Sequence, residues 1–246
     1  LEGIDVVIHL AGAGIADKRW TSARRKEILD SRIIGTRFLA RKVSELSNPP
    51  ALFICASATG YYGNHPATEL LDENSPCGEG FLADVCRQWE EAAVPLSGSS
   101  TTRVVFARFG VVLSRDGGIL ARQFPVFKLG LGGYIGNGRQ PMSWISIEDL
   151  PGIMLHIAEH EEISGPVNVV APNPVSNREF TATLGEVLHR PAFLKVPAIG
   201  AKLLFGKMSE EVLLAGQNVT CRKLLESGYH FFYPELKPAL KNLLSN

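Results

Sequence analysis

The sequence predicts an α/β fold built on a mostly parallel sheet. Three observations predict it. Four short runs, "DVVIHLAG" (5–12), "ALFICASA" (51–58), "TRVVFARFG" (102–110) and "GPVNVVAP" (165–172), are apolar and β-branched nearly throughout. Strands covered on both faces read that way, whereas half-exposed strands alternate. Segments with helical spacing separate the runs, and this alternation is the mark of parallel strands joined by crossover helices. Third, a length of 246 residues with 45% hydrophobic content is enough to bury a core between helical layers.

Each element has its own signals. From Thr21 to Leu46, apolar residues recur near helical spacing (Ile28, Leu29, Ile33, Phe38, Leu39, Val43), and Asn48-Pro49-Pro50 is the stop. A second helix runs from Phe81 to Val94 and ends by Pro95; a third covers Ser146 to His160. Ser176-Asn177-Arg178-Glu179 is a capping box that opens a fourth, through Leu188. Past residue 114 the texture becomes rich in glycine and aromatics, and from Arg190 it breaks into short helices. The expected organisation is a sheet domain over 1–189, with 114–145 contributing to a substrate lobe, and a small helical region over 190–246.

Charge and cysteine usage narrow the function classes. Basic and acidic residues balance at 25 each, so the overall charge gives no argument for nucleic acid or a membrane surface. Cys55, Cys77, Cys86 and Cys221 have no C-x-x-C spacing, which reads as reduced thiols in a cytoplasmic protein without a metal. No apolar run approaches the roughly 20 residues of a bilayer span. The N-terminus "LEGIDVVIHL" has no basic stretch ahead of its apolar run, unlike a signal peptide, and it opens almost directly on a strand.

In open parallel sheets, ligands bind beyond the carboxyl ends of the strands. Those ends read Ala11-Gly12, Ser57-Ala58-Thr59, Arg108-Phe109-Gly110 and Ala171-Pro172. Small residues admit a flat ligand and hydroxyls orient it; small residues also simply make tight turns.

Together "HLAG", "SATGYYG", "RFGVVLSRDGG", "GLGGYIGNGRQ" and "SWISIEDL" resemble the extended short-chain dehydrogenase/reductase superfamily. More narrowly, they resemble its atypical epimerase-like branch with an uncharacterised C-terminal region, to which "RPAFLKVPAIGAKLLFG" and "GYHFFYPELKPALKNLL" are similar. The resemblance covers essentially the whole chain. It implies a Rossmann-type doubly wound sheet with NADP or NAD across the strand ends, NADP being favoured. Leu10, Ala11 and Gly12 match the turn along the adenosine half. Ala56 and Ser57 match the strand end beside the nicotinamide ribose. Arg108, Gly110 and Val111 match the segment framing the nicotinamide. The implied activity is an epimerase or oxidoreductase acting on a small, nucleotide-sugar-like molecule.

Three departures qualify that activity. "AGAGIAD" does not form the glycine-rich phosphate loop, which in the family lies upstream of "HLAG"; the first βαβ unit is expected to be missing from this chain. Without the loop's helix N-terminus, pyrophosphate binding is expected to be weak. The family's Tyr-x-x-x-Lys pair falls on Phe81 and Val85, which can neither transfer a proton nor hold a charge. Arg32 occupies the position of a family Asn. The alternative function is therefore an inactive NADP(H)-binding sensor or regulatory module.

Ser57, Thr59 and Tyr62 are the candidate catalytic residues, with Tyr61 read as amphipathic packing. Lys18, Trp20 and Arg139 are the substrate-binding candidates, since basic groups clamp anions and an indole stacks on rings. In the superfamily a comparable arginine touches substrate phosphate. Asp149 with Ser146 reads as a capping arrangement, Trp144 as core, and His9, His156 and His189 as structural; His65 has no partner visible in the sequence. Ser57→Ala is expected to keep its stability while weakening ligand binding. The two long helices match those through which many superfamily members dimerise, leaving monomer and homodimer both open.

Overall fold

The computed structural model describes residues 1–97 and 101–245. In chain order the elements are β1 (Val6–His9), α1 (Ser22–Ser44), β2 (Leu52–Ala58), β3 (Leu70–Leu71), α2 (Phe81–Ser97), β4 (Arg103–Phe109), β5 (Val111–Leu113), α3 (Gly118–Lys128), β6 (Gly133–Ile135), β7 (Pro141–Met142) and β8 (Trp144–Ser146). They continue with α4 (Leu150–Glu159), β9 (Gly165–Val169), β10 (Val175–Ser176), α5 (Asn177–Leu188), β11 (Leu194–Val196), α6 (Ala198–Phe205), β12 (Asn218–Val219), α7 (Arg222–Glu226) and α8 (Leu236–Leu244).

The four apolar runs become one parallel sheet, β1-β2-β4-β9. Successive side chains on a strand face opposite ways, so each run serves two cores. Phe53, Cys55, Val104 and Phe106 meet Ala40, Val43, Trp89 and Ala93 of α1 and α2. Ile54, Val105, Ala107 and Val167 meet Ile153, Ile157, Leu224 and Leu240 from the α4 side and the C-terminal helices. Each fully buried aliphatic or aromatic side chain contributes about 1.5–3 kcal/mol. The minor sheets pair β5 with β8, β6 with β11 and β3 with β12 in parallel, and β7 with β10 antiparallel. They stitch the segments after residue 110 to the strand ends.

Two details differ from expectation. Helix α2 runs through Pro95 to Ser97. Pro95 stands in the last turn, where its missing N–H leaves only the carbonyl of exposed Glu91 without a helical donor. Ser146 does cap, accepting from Glu148 N at 3.3 Å, but the Asp149 carboxylate turns elsewhere. It is buried and accepts from Phe232 N at 2.7 Å and Tyr233 N at 3.3 Å, tying the C-terminal region to α4. The Ser176 capping box is complete. Among the described residues, no helix is long and apolar enough to cross a membrane.

Candidate functional site

Two polar regions form beyond the sheet's strand ends. The first is interior. Ser57 and Arg108 stand in register on β2 and β4, in the phase of the residues that face α1 and α2. Helix α2 sends Glu90 toward them, on the stripe that also carries Ala83, Cys86 and Ala93. Ser57 Oγ donates to Glu90 Oε1 at 2.7 Å. Arg108 Nε and Nη2 each donate to one Glu90 oxygen at 2.9 Å, a two-pronged ion pair. Arg108 Nη1 donates to the Tyr62 hydroxyl at 3.0 Å, and that hydroxyl donates to Asn168 Oδ1 at 2.7 Å. Asn168 N in turn donates to Glu73 Oε1 at 3.1 Å. The guanidinium also lies 3.5 Å from the centre of the Tyr61 ring, close enough for a cation–π contact.

Burial pushes the Tyr62 hydroxyl up to about 12, so it stays a neutral donor. Burial works against the Arg108 charge, but the paired Glu90 outweighs it and the guanidinium is held more firmly protonated than usual.

The candidate catalytic hydroxyls thus lie inside: Ser57 is 2% exposed, Thr59 6% and Tyr62 0%. Ala56 is buried beside them. Leu10, Ala11 and Gly12 form an exposed ledge past β1. A Cβ on Gly12 would stand 3.1 Å from Arg32 Cζ, so glycine keeps the ledge flat. Gly110 is pressed between strands, where a Cβ would meet Ser143 O at 2.6 Å; Val111 follows it, half-buried, bonded to the same carbonyl at 2.8 Å.

Phe81 and Val85, at the Tyr and Lys positions, are packed. The Phe81 ring meets Trp20 edge-on with centroids 5.1 Å apart, and Val85 is 2% exposed. Trp20 Nε1 donates to Ile15 O at 2.7 Å, closing the loop that also carries exposed Lys18. Arg32 donates to Ala13 O at 2.9 Å and lies over the Trp89 ring, bracing the same loop. Neither Lys18 nor Trp20 lines the groove that holds Arg139.

The second region is a groove of about 450 Å³ lined by Asn64, His65, Asn137, Arg139 and Gln140 together with small apolar residues, including Ala198 and Leu214. His65 N donates to Gly216 O, and Gly216 N donates to Asn64 Oδ1, both at 3.0 Å, so the β2 loop and the C-terminal region close the groove jointly. His65 Nδ1 lies 2.9 Å from Glu69 Oε2. Arg139 is exposed, and among the described residues its guanidinium has no hydrogen bond or ion pair. Among the described residues, no carboxylate lines the groove.

Sequence reasoning missed Glu90, Glu73, Asn168 and Glu69. A charged residue on the apolar stripe of α2 was the one legible signal for Glu90. The four cysteines are free, and among the described residues no cluster of His, Cys, Asp or Glu could hold a metal.

Residues 196–243 match a domain of unknown function, DUF1731. Epimerase family protein ML0860 of Mycobacterium leprae is 40% identical over 96% of this chain and 76% of its own length. The human epimerase family protein SDR39U1 (isoform 2), solved with NADPH, superposes with a TM-score of 0.94 at 38% identity, covering 100% of this chain and 83% of that one. A nucleoside-diphosphate sugar epimerase from Corynebacterium glutamicum gives 0.78 at 36% identity, over 98% of this chain and 46% of that one. Residues 1–170 match the family model, and on that match the chain belongs to the NAD dependent epimerase/dehydratase family.

Proposed function

We propose that the chain binds NADP(H) across the ends of β1, β2 and β4 and holds a small anionic molecule of the nucleotide-sugar class in the Arg139 groove. The groove carries this reading. It offers an unspent guanidinium and no opposing carboxylate, and charge-assisted contacts to phosphate are the strong ones. The NADPH bound to the human relative, and the Corynebacterium relative being a nucleoside-diphosphate sugar epimerase, support it. Leu10, Ala11 and Gly12 would receive the adenosine half, while Gly110 and Val111 would frame the nicotinamide. When bound, the cofactor supplies a hydride donor or acceptor. Ser57 spends its proton on Glu90, so it would meet a ligand only as an acceptor; Thr59 and Tyr62 are buried, and the Tyr62 hydroxyl is taken up by Arg108 and Asn168.

A second reading, a ligand-sensing module without turnover, draws on Phe81 and Val85. Both are packed into the fold, and neither carries a proton. Calorimetry with UDP-glucose and NADPH tests the first reading. UDP-glucose and NADPH are both expected to bind. Failure of UDP-glucose and other sugar nucleotides to bind overturns the substrate class. Binding of both ligands without change in nicotinamide absorbance decides for the sensor.

A further inference from the structure

The even charge balance of the whole chain conceals a one-sided lobe. Residues 117–147 contain Arg122, Lys128 and Arg139 and no acidic residue; residues 187–209 contain Arg190, Lys195, Lys202 and Lys207 and again none. Arg122 pairs with Asp17 and Lys202 with Glu210, each at 2.8 Å, so the cations without an ion pair among the described residues are Lys128, Arg139, Arg190, Lys195 and Lys207. The fold brings the two segments together. Strand β6 pairs with β11, Arg190 Nε donates to Lys128 O at 3.0 Å, and Leu194 N donates to Gly132 O at 3.3 Å. On this surface Leu129 and Phe193 are each 75% exposed, with Leu131 and Leu194 exposed beside them. Helix α6 continues the run, with Ile199 and Leu203 one turn apart and both exposed. Lys128 and Lys195, next in the chain to Leu129 and Leu194, are exposed as well, the Lys128 ammonium 4.9 Å from the centre of the Phe124 ring.

We infer that this lobe is a docking surface for an anionic lipid bilayer. Protruding aliphatic and aromatic side chains ringed by lysines are what an interfacial contact requires: the apolar groups enter the headgroup boundary and the ammonium groups meet lipid phosphate. Charge decides against the other occupants. A second copy of the chain would set one cationic lobe on another. Nucleic acid would meet the cations but leave Leu129, Leu131 and Ile199 without apolar partners. The lobe contributes Arg139 and Ala198 to the groove, so docking would bring the groove close to the bilayer.

Vesicle flotation of the full chain tests this. At low salt the chain is expected to float with vesicles of phosphatidylcholine containing one part in three phosphatidylserine, and to stay down with phosphatidylcholine alone. Raising the salt should release it. Lys128→Glu and Lys195→Glu should each lower the bound fraction about fivefold, and Leu129→Ser with Phe193→Ser should abolish flotation. Leu155→Asp, exposed on α4, should float like the parent. Thermal melts of each variant exclude unfolding as the cause, and UDP-glucose calorimetry on Phe193→Ser keeps this result separate from the groove. The inference is overturned if the chain stays down with the anionic vesicles, if it floats equally on neutral ones, or if the folded lobe variants float like the parent.

Discussion

The interior network and the groove are separated along the chain by Gly63 alone: Tyr62 belongs to one and Asn64 to the other. Chemically they are opposites. In the network, each donor named has an acceptor within the protein: Ser57 and Arg108 on Glu90, Tyr62 on Asn168, Asn168 on Glu73. In the groove, the Arg139 guanidinium keeps its capacity for a ligand. A buried, satisfied network holds a single arrangement of the strand ends, because losing one member leaves the others uncompensated. An unsatisfied, wet groove adds little to stability and is where a ligand gains most. Polar residue type does not tell the two apart; burial and partnership do.

Breaking the network at its centre should have the largest effect. Glu90→Ala leaves the Arg108 charge buried without its counter-charge, and removing one partner of a buried ion pair costs about 3–5 kcal/mol. Chemical denaturation should show that loss, and the double variant Glu90→Leu with Arg108→Met should recover much of it. A Glu90→Ala protein as stable as the parent would mean the network is ornamental.

Alkali should come next. Burial pushes the thiols of Cys55, Cys86 and Cys221 from 9.0 up to about 12. Between those values the unfolded chain has lost protons that the folded chain keeps. Each thiol's contribution is therefore complete below 9 and is lost as pH rises toward 12. The slope is about 1.4 kcal/mol per pH unit for each thiol. Denaturation midpoints measured from pH 8 to 10.5 should fall, and Cys221→Ala should fall less steeply than the parent.

The sheet was legible because its runs are short, apolar and β-branched: β2, β4 and β9 are covered on both faces, whereas β1, at the edge of the described sheet, leaves Ile8 45% exposed. Glycine-flanked Arg139 was legible as a groove residue for a similar reason, since "GNGRQP" has no pattern that would bury it. Ser57 and Arg108 were harder. Their place at strand ends was readable, but which way they face depends on strand phase, and the partner that claims them, Glu90, lies a helix away. The link from Tyr62 to Asn168 joins strand ends far apart in sequence, and one sequence carries no trace of such a pair. His65 and Glu69 are close, but they meet across a non-helical turn, where no periodicity brings them together.

Ser57→Ala is the sharper test of which region Ser57 serves. The sequence-based expectation was unchanged stability with weaker ligand binding. The geometry supports a loss of about 1 kcal/mol, since Glu90 loses one donor and keeps Arg108. Melting temperature and NADPH affinity measured on the same protein decide between the two.

Arg139→Ala should disturb the fold least. The side chain is exposed and without a protein partner, so its removal should leave stability within about 0.5 kcal/mol of the parent. Its effect should fall on the groove instead. A guanidinium on phosphate is worth about 1.5–3 kcal/mol, so UDP-glucose affinity should drop roughly ten- to a hundredfold. Arg139→Lys should recover only part of this, because an ammonium keeps the charge but not the two-pronged geometry. The comparison breaks if Arg139→Ala lowers the melting temperature by as much as Ser57→Ala, for then the groove would be tied into the fold like the network. It sharpens if affinity falls while the melt stays fixed, since Ser57→Ala should lower the melt.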